Sequence, residues 1–233
     1  MSKKNARWRK LDNAAKLYSA ASNKKDTRVF RFYCELKEEV NPKALQEALN
    51  QTIETFPTFL MVLRKGFFWH YLEPCNLRPI VKEEYKEPCS RLYIRDKKTL
   101  LFEVTYYKKR INFEVFHVLT DGTGATEFLK ELVKNYLYLV HKEEGLEQIT
   151  LLPEDMTVQD QEDDSFLKYY SKNQKRPKKR KLNAFQIRRK KKDGNHLHVH
   201  ESVVSVQAVL KRSRELGVSM TIFLTALFMM AIN

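Results

Sequence analysis

The chain runs to 233 residues, 42% of them hydrophobic, and its 43 Lys and Arg against 29 Asp and Glu leave a formal net charge of +14. That length and apolar share predict a real packed core, in one large domain or two small ones. No apolar stretch follows the basic residues 1–10, so a signal peptide is not expected, and Cys34, Cys75 and Cys89 are too sparse for a metal spacing and suit reduced thiols in a cytoplasm.

In chain order, residues 29–36 read as a strand. Asn41 and Pro42 open a helix over residues 42–55 whose stripe is Leu45, Ala48, Leu49, Thr52, Ile53 and Phe56, and Pro57 ends it. Strand-like runs follow near 58–63, 67–72 and 80–82. Leu100, Phe102, Val104 and Tyr106 then alternate with Leu101, Glu103, Thr105 and Tyr107, and Lys108-Lys109-Arg110 turns the chain back into Ile111, Phe113 and Val115, the pattern of a hairpin. His117 projects from the same strand face as those apolar residues. Asp121-Gly-Thr-Gly124 breaks the pattern, and Phe128, Leu129, Leu132, Val133, Tyr136, Leu137 and Val140 trace one face of a helix over about 124–141. Ser205 and Gly217 bracket a further helix, and Ser219 caps a run from Met220 to Ile232 that is apolar nearly all round. Strands and helices in this order predict an α/β fold, a mixed β-sheet with helices packed on one face.

The strand-to-helix turn at His117 is where such folds keep chemistry. An imidazole is the side chain chemically suited to act as a general base there. Asp121 is expected to fix the backbone or accept an ion pair that holds the histidine loop, and Gly122 to supply a torsion or close approach that a side chain would block. The same spacing is met by a histidine satisfied in a core beside an ordinary Asp-Gly turn.

The segment Glu114-Val-Phe-His-Val-Leu-Thr-Asp-Gly-Thr-Gly-Ala-Thr-Glu-Phe-Leu129 resembles the His-x-x-x-Asp-Gly signature of the acyltransferase superfamily that includes chloramphenicol acetyltransferase, peptide-synthetase condensation domains and alcohol O-acetyltransferases. Residues 45–59 resemble the first long helix of these proteins with its Phe-Pro exit, and residues 64–73 are similar to the hairpin that follows in the bacterial alcohol-acetyltransferase-like branch. The resemblance runs from about Lys10 to the last residue. It implies a chloramphenicol-acetyltransferase-like half-domain and a tunnel between two halves, entered from opposite ends by an acyl thioester, such as acetyl-coenzyme A, and an alcohol or amine acceptor. It implies His117 as general base and Asp121 as a structural residue commonly paired with an arginine. Phe116 stands where condensation domains often have a further histidine, which favours the acetyltransferase branch. The stretch Thr55-Phe-Pro-Thr-Phe-Leu60 lacks the arginines that condensation domains carry there, so no partner for Asp121 is identified.

On this resemblance residues 1–217 are expected to form the N-terminal half-domain, with a flexible basic loop over about 158–195, and 218–233 to start the crossover to a C-terminal half-domain. The apolar run from Met220 is shorter than the ~20 residues of a membrane span, so it is expected to meet that second half or a second copy of the chain. Residues 172–192 concentrate Lys and Arg; a solvated crossover loop is the expected reading, ahead of a nucleic-acid patch or an attractor for coenzyme A phosphates. His196, His198 and His200 alternate as some zinc ligands do, but a polar strand face is expected and no metal. His70 and His141 are expected to be structural. Two function classes remain: a coenzyme-A-dependent acyltransferase, and a binding module of the same fold without turnover.

Overall fold

The computed structural model describes residues 8–67, 69–95, 97–142 and 199–232. The chain divides into two compact units, residues 1–173 and 174–233. The basic block at 172–192, His196 and His198 lie outside the described residues.

The first unit runs β1 (Arg9–Lys10), α1 (Asn13–Ala21), β2 (Val29–Glu35), α2 (Pro42–Thr55), a 3-10 turn (Pro57–Phe59), β3 (Met61–Lys65), β4 (His70–Pro74), β5 (Lys82–Glu83), β6 (Phe102–Tyr107), β7 (Arg110–Phe116) and α3 (Gly122–Val140). Its main sheet has the order β2-β7-β6-β5, antiparallel except for the β5 and β6 pair. A smaller antiparallel sheet has the order β1-β4-β3. The first unit thus has the expected mixed α/β fold, with helices on one sheet face.

Alternation along β6 and β7 decides what faces what. On one face Phe102 and Phe113 meet Phe128 of α3, with ring centroids 5.5 and 4.7 Å away, and Phe59 stacks on Phe128 at 4.4 Å. Each such ring buries a large apolar area and adds about 0.5–1.5 kcal/mol per aromatic pair beyond it. Helix α2 buries Leu45, Ala48, Leu49 and Thr52, most of the expected stripe. It joins α3 by polar contacts too: the Asn135 side-chain amide donates to Thr52 Oγ1 at 3.1 Å, and the Asn41 N–H donates to Tyr136 Oη at 2.9 Å. Where residues 58–63 read as one strand, Pro57 instead opens a 3-10 turn that drives Phe59 into the core, and β3 starts only at Met61. The run at 67–72 likewise becomes a strand only from His70, because Phe67 and Trp69 sit exposed at the hairpin tip, where the Gly66 N–H donates to the Trp69 carbonyl at 2.7 Å.

The opposite face of the sheet carries charge. Arg31 and Glu114 are cross-strand neighbours of β2 and β7. Arg31 Nε donates to Glu114 Oε1 at 2.8 Å and Arg31 Nη1 to Glu84 Oε1 at 2.6 Å, while the Cys89 N–H donates to Glu114 Oε1 at 2.7 Å. The network thus fastens the segment around Cys89 over the sheet. Burial alone would push the Glu84 carboxyl up, but the Arg31 and Arg110 guanidinium groups outweigh it and hold it below the usual carboxylate range. A depressed folded value means that Glu84 stabilises the fold above the ordinary carboxylate range and that this contribution is lost as pH falls through the depressed value. Acid unfolding followed by circular dichroism should therefore be shallower in Glu84→Gln than in the unaltered protein. Identical acid profiles would refute the assignment.

The second unit holds α4 (Val206–Glu215) and α5 (Met220–Ile232). The caps fall where the sequence places them: Ser205 Oγ accepts from the Ala208 N–H, Ser219 Oγ accepts from the Ile222 N–H, both at 3.3 Å, and Gly217 takes φ 66°. That left-handed glycine lets its own N–H reach the Arg214 carbonyl and the Val218 N–H reach Ser213, each at 3.0 Å, which closes α4. Helix α5 buries none of its side chains; Phe228 is 66% and Met230 75% exposed. Among the described residues no single helix is long and apolar enough to cross a membrane, and α4 and α5 meet that test only as a pair bent by 90°.

Candidate active site

Strand β7 ends at Phe116, and His117 begins a turn in which the Leu119 N–H donates to the Phe116 carbonyl at 2.8 Å. The His117 N–H donates to the Arg28 carbonyl at 3.0 Å, which continues the β2 and β7 ladder one residue further. Arg28 holds φ 56°, a left-handed value that costs a non-glycine residue energy, so the backbone against His117 is strained. The half-buried imidazole shares its sheet face with Val115 and Phe30. Tyr18 of α1 stacks on it with centroids 4.0 Å apart and planes 16° apart, and Phe30 tilts against it at 4.8 Å and 54°. Among the described residues neither imidazole nitrogen makes a hydrogen bond, and the ring is held by its faces. Phe116 points to the other side of the sheet, where it stacks on Tyr93 at 6.0 Å.

Gly122 departs from expectation, and Asp121 fixes the backbone. The helix starts at Gly122, two residues earlier than periodicity indicated, because Asp121 is its N-cap: Asp121 Oδ1 accepts from the Gly124 N–H at 3.0 Å. Asp121 is exposed and, among the described residues, makes no ion pair; Arg28 pairs with Asp26 at 2.9 Å instead. Of the two roles set out for Asp121, fixing the backbone is the one present. Gly122 provides no special torsion, and a Cβ there would meet only Phe32 Cζ, at an ordinary 3.9 Å. The close approach belongs to Gly124, where a Cβ would collide with Thr120 Oγ1. Asp121→Ala is accordingly expected to cost about 0.5–2 kcal/mol in denaturant unfolding, and Asp121→Asn to be nearly neutral, because asparagine caps as well as aspartate. A large loss in Asp121→Asn would restore an ion-pair role.

Tyr18, Phe30 and Arg28 are site residues that pattern reading missed. A signal for the first was present: Asp12 precedes an alanine-rich run, its Oδ1 accepts from the Ala15 N–H at 2.6 Å, and Ala15 and Tyr18 stand one turn apart on the inner face. His70 opens β4 and His141 caps the end of α3. Burial, with Lys65 and Arg95 nearby, pushes the His70 imidazole down. His200 is exposed, and among the described residues no three His, Cys, Asp or Glu side chains gather as a metal-binding group.

No protein-family model matches the chain, and no curated protein sequence does. In structure the chain is similar to the starter condensation domain of rhizomide synthetase RzmA, with a TM-score of 0.49 at 12% identity over 58% of this chain and 39% of that one. It is also similar to the first condensation domain of the calcium-dependent antibiotic synthetase in complex with a substrate analogue (0.46, 13%, 62% and 40%). A third is polyketide synthase associated protein 5 from Mycobacterium tuberculosis (0.45, 18%, 62% and 36%). The chain thus spans well under half the length of these solved chains.

Proposed function

We propose that this chain carries the general base of a coenzyme-A-dependent acyltransferase, with His117 in that role and an acyl thioester and an alcohol or amine as substrates. The observation that carries the reading is the imidazole at the end of β7, clamped by Tyr18 and Phe30 on its faces, with no described hydrogen bond on its nitrogens. The resemblance of residues 114–129 to the His-x-x-x-Asp-Gly signature supports it. His117 takes the proton of the acceptor hydroxyl or amine as the acceptor forms its bond to the thioester carbonyl. The C–S bond then breaks, and the same proton passes to the departing thiolate. Transfer of an acetyl group to an alcohol is the finer form of this reading, and condensation-type amide formation its close alternative.

The tunnel implied by the resemblance needs a second wall, which we assign to a second half-domain, with self-association of the chain as the competing reading. The test measures thiol release from acetyl-coenzyme A with alcohol and amine acceptors, in a protein joining both halves and in the 233 residues alone. Turnover is expected only from the joined protein. Brisk turnover by the chain alone would remove the second wall from the proposal. Thioester binding without turnover by either would replace the enzyme with a binding module of the same fold.

A further inference from the structure

We infer that Tyr18 is a positioning residue for His117, acting through the face of its ring and not through its hydroxyl; this rests on the general-base reading of His117. The near-parallel stack at 4.0 Å and 16° is face to face, whereas Phe30 meets the same imidazole at 54°. Two aromatic rings on a half-buried imidazole leave it little freedom about its side-chain torsions, so its polar edge keeps one direction. Among the described residues the Tyr18 hydroxyl makes no hydrogen bond, and its contact with His117 is that of its ring face.

What holds the clamp is the loop between α1 and β2. Asn23 Oδ1 accepts from the Lys25 and Asp26 N–H groups at 2.8 and 3.0 Å. Ser22 Oγ donates to the Thr27 carbonyl at 3.1 Å, and Thr27 Oγ1 donates to the Cys89 carbonyl at 2.7 Å. At the helix end the Ser22 N–H donates to the carbonyl of Tyr18 itself at 3.0 Å. The first helix and the strand bearing Phe30, with Arg28 just before it, are therefore tied together around one imidazole, and α1 becomes a wall of the site.

The test pairs a spectroscopic with a kinetic readout. In the 233-residue chain, His117 ring signals, identified by their loss in His117→Ala, should carry a ring-current displacement that Tyr18→Phe retains and Tyr18→Ala loses. In the joined protein, Tyr18→Ala should lower kcat by about ten- to a hundredfold with a smaller change in KM, and Tyr18→Phe should stay near the unaltered rate. Tyr18→Leu, which keeps apolar bulk without a ring, covers the case in which alanine unfolds the helix, and should behave as alanine does. An unchanged His117 signal in Tyr18→Ala or Tyr18→Leu would overturn the inference, as would a Tyr18→Phe variant as slow as alanine, since the hydroxyl would then be the active part. Absence of turnover in the unaltered joined protein would sink the acyltransferase reading and leave the ring signal to decide the stack.

Discussion

Exchanging His117 for alanine is expected to lower acyl transfer by the joined protein by about 10²–10⁴-fold, the usual contribution of a placed general base, with kcat and kcat/KM falling together. The loss should come from the missing proton acceptor and not from unfolding. The imidazole is half-buried and gives up two ring contacts, with Tyr18 and Phe30, each worth about 0.5–1.5 kcal/mol, so a modest fall in stability should accompany the kinetic effect. Denaturant unfolding beside steady-state rates separates the two. His117→Ala with undiminished turnover would rule out the general-base role, and a variant that is both inactive and unfolded would shift the residue to structure.

The second large effect is on stability. Arg31→Ala should cost about 3–5 kcal/mol, because it leaves the Glu114 carboxylate, 2% exposed, buried without its cation. The Cys89 N–H still reaches that carboxylate, but one neutral donor does not replace a guanidinium 2.7 Å away. Glu114→Gln should be milder. Arg31 then keeps Glu84 at 2.6 Å, and the new amide oxygen still accepts a hydrogen bond. Urea titrations of both variants decide the matter, and equal losses would show that the carboxylate charge, not the orphaned partner, dominates.

Much of the local structure was legible in the residues alone. The stripe of α2, the alternation across the β6 and β7 hairpin and the Ser205, Gly217 and Ser219 caps are short-range patterns, set by helix and strand periods and by the torsions that caps require. The strand-to-helix turn at His117 was readable for the same reason. Tertiary structure decided what the pattern could not carry. Arg31 meets Glu114 across 83 residues of chain, a pairing that depends on the register of β2 against β7 and not on either local sequence. Tyr18 reaches His117 only because α1 is pinned to the start of β2. Asp121 is an exposed cap with no ion pair among the described residues, and Gly124, not Gly122, is the position where an added Cβ would meet the Thr120 hydroxyl. The residues named their own secondary structure through periodicity; which of them would meet at the imidazole was settled by strand register and helix docking, quantities that exist only once distant segments pack.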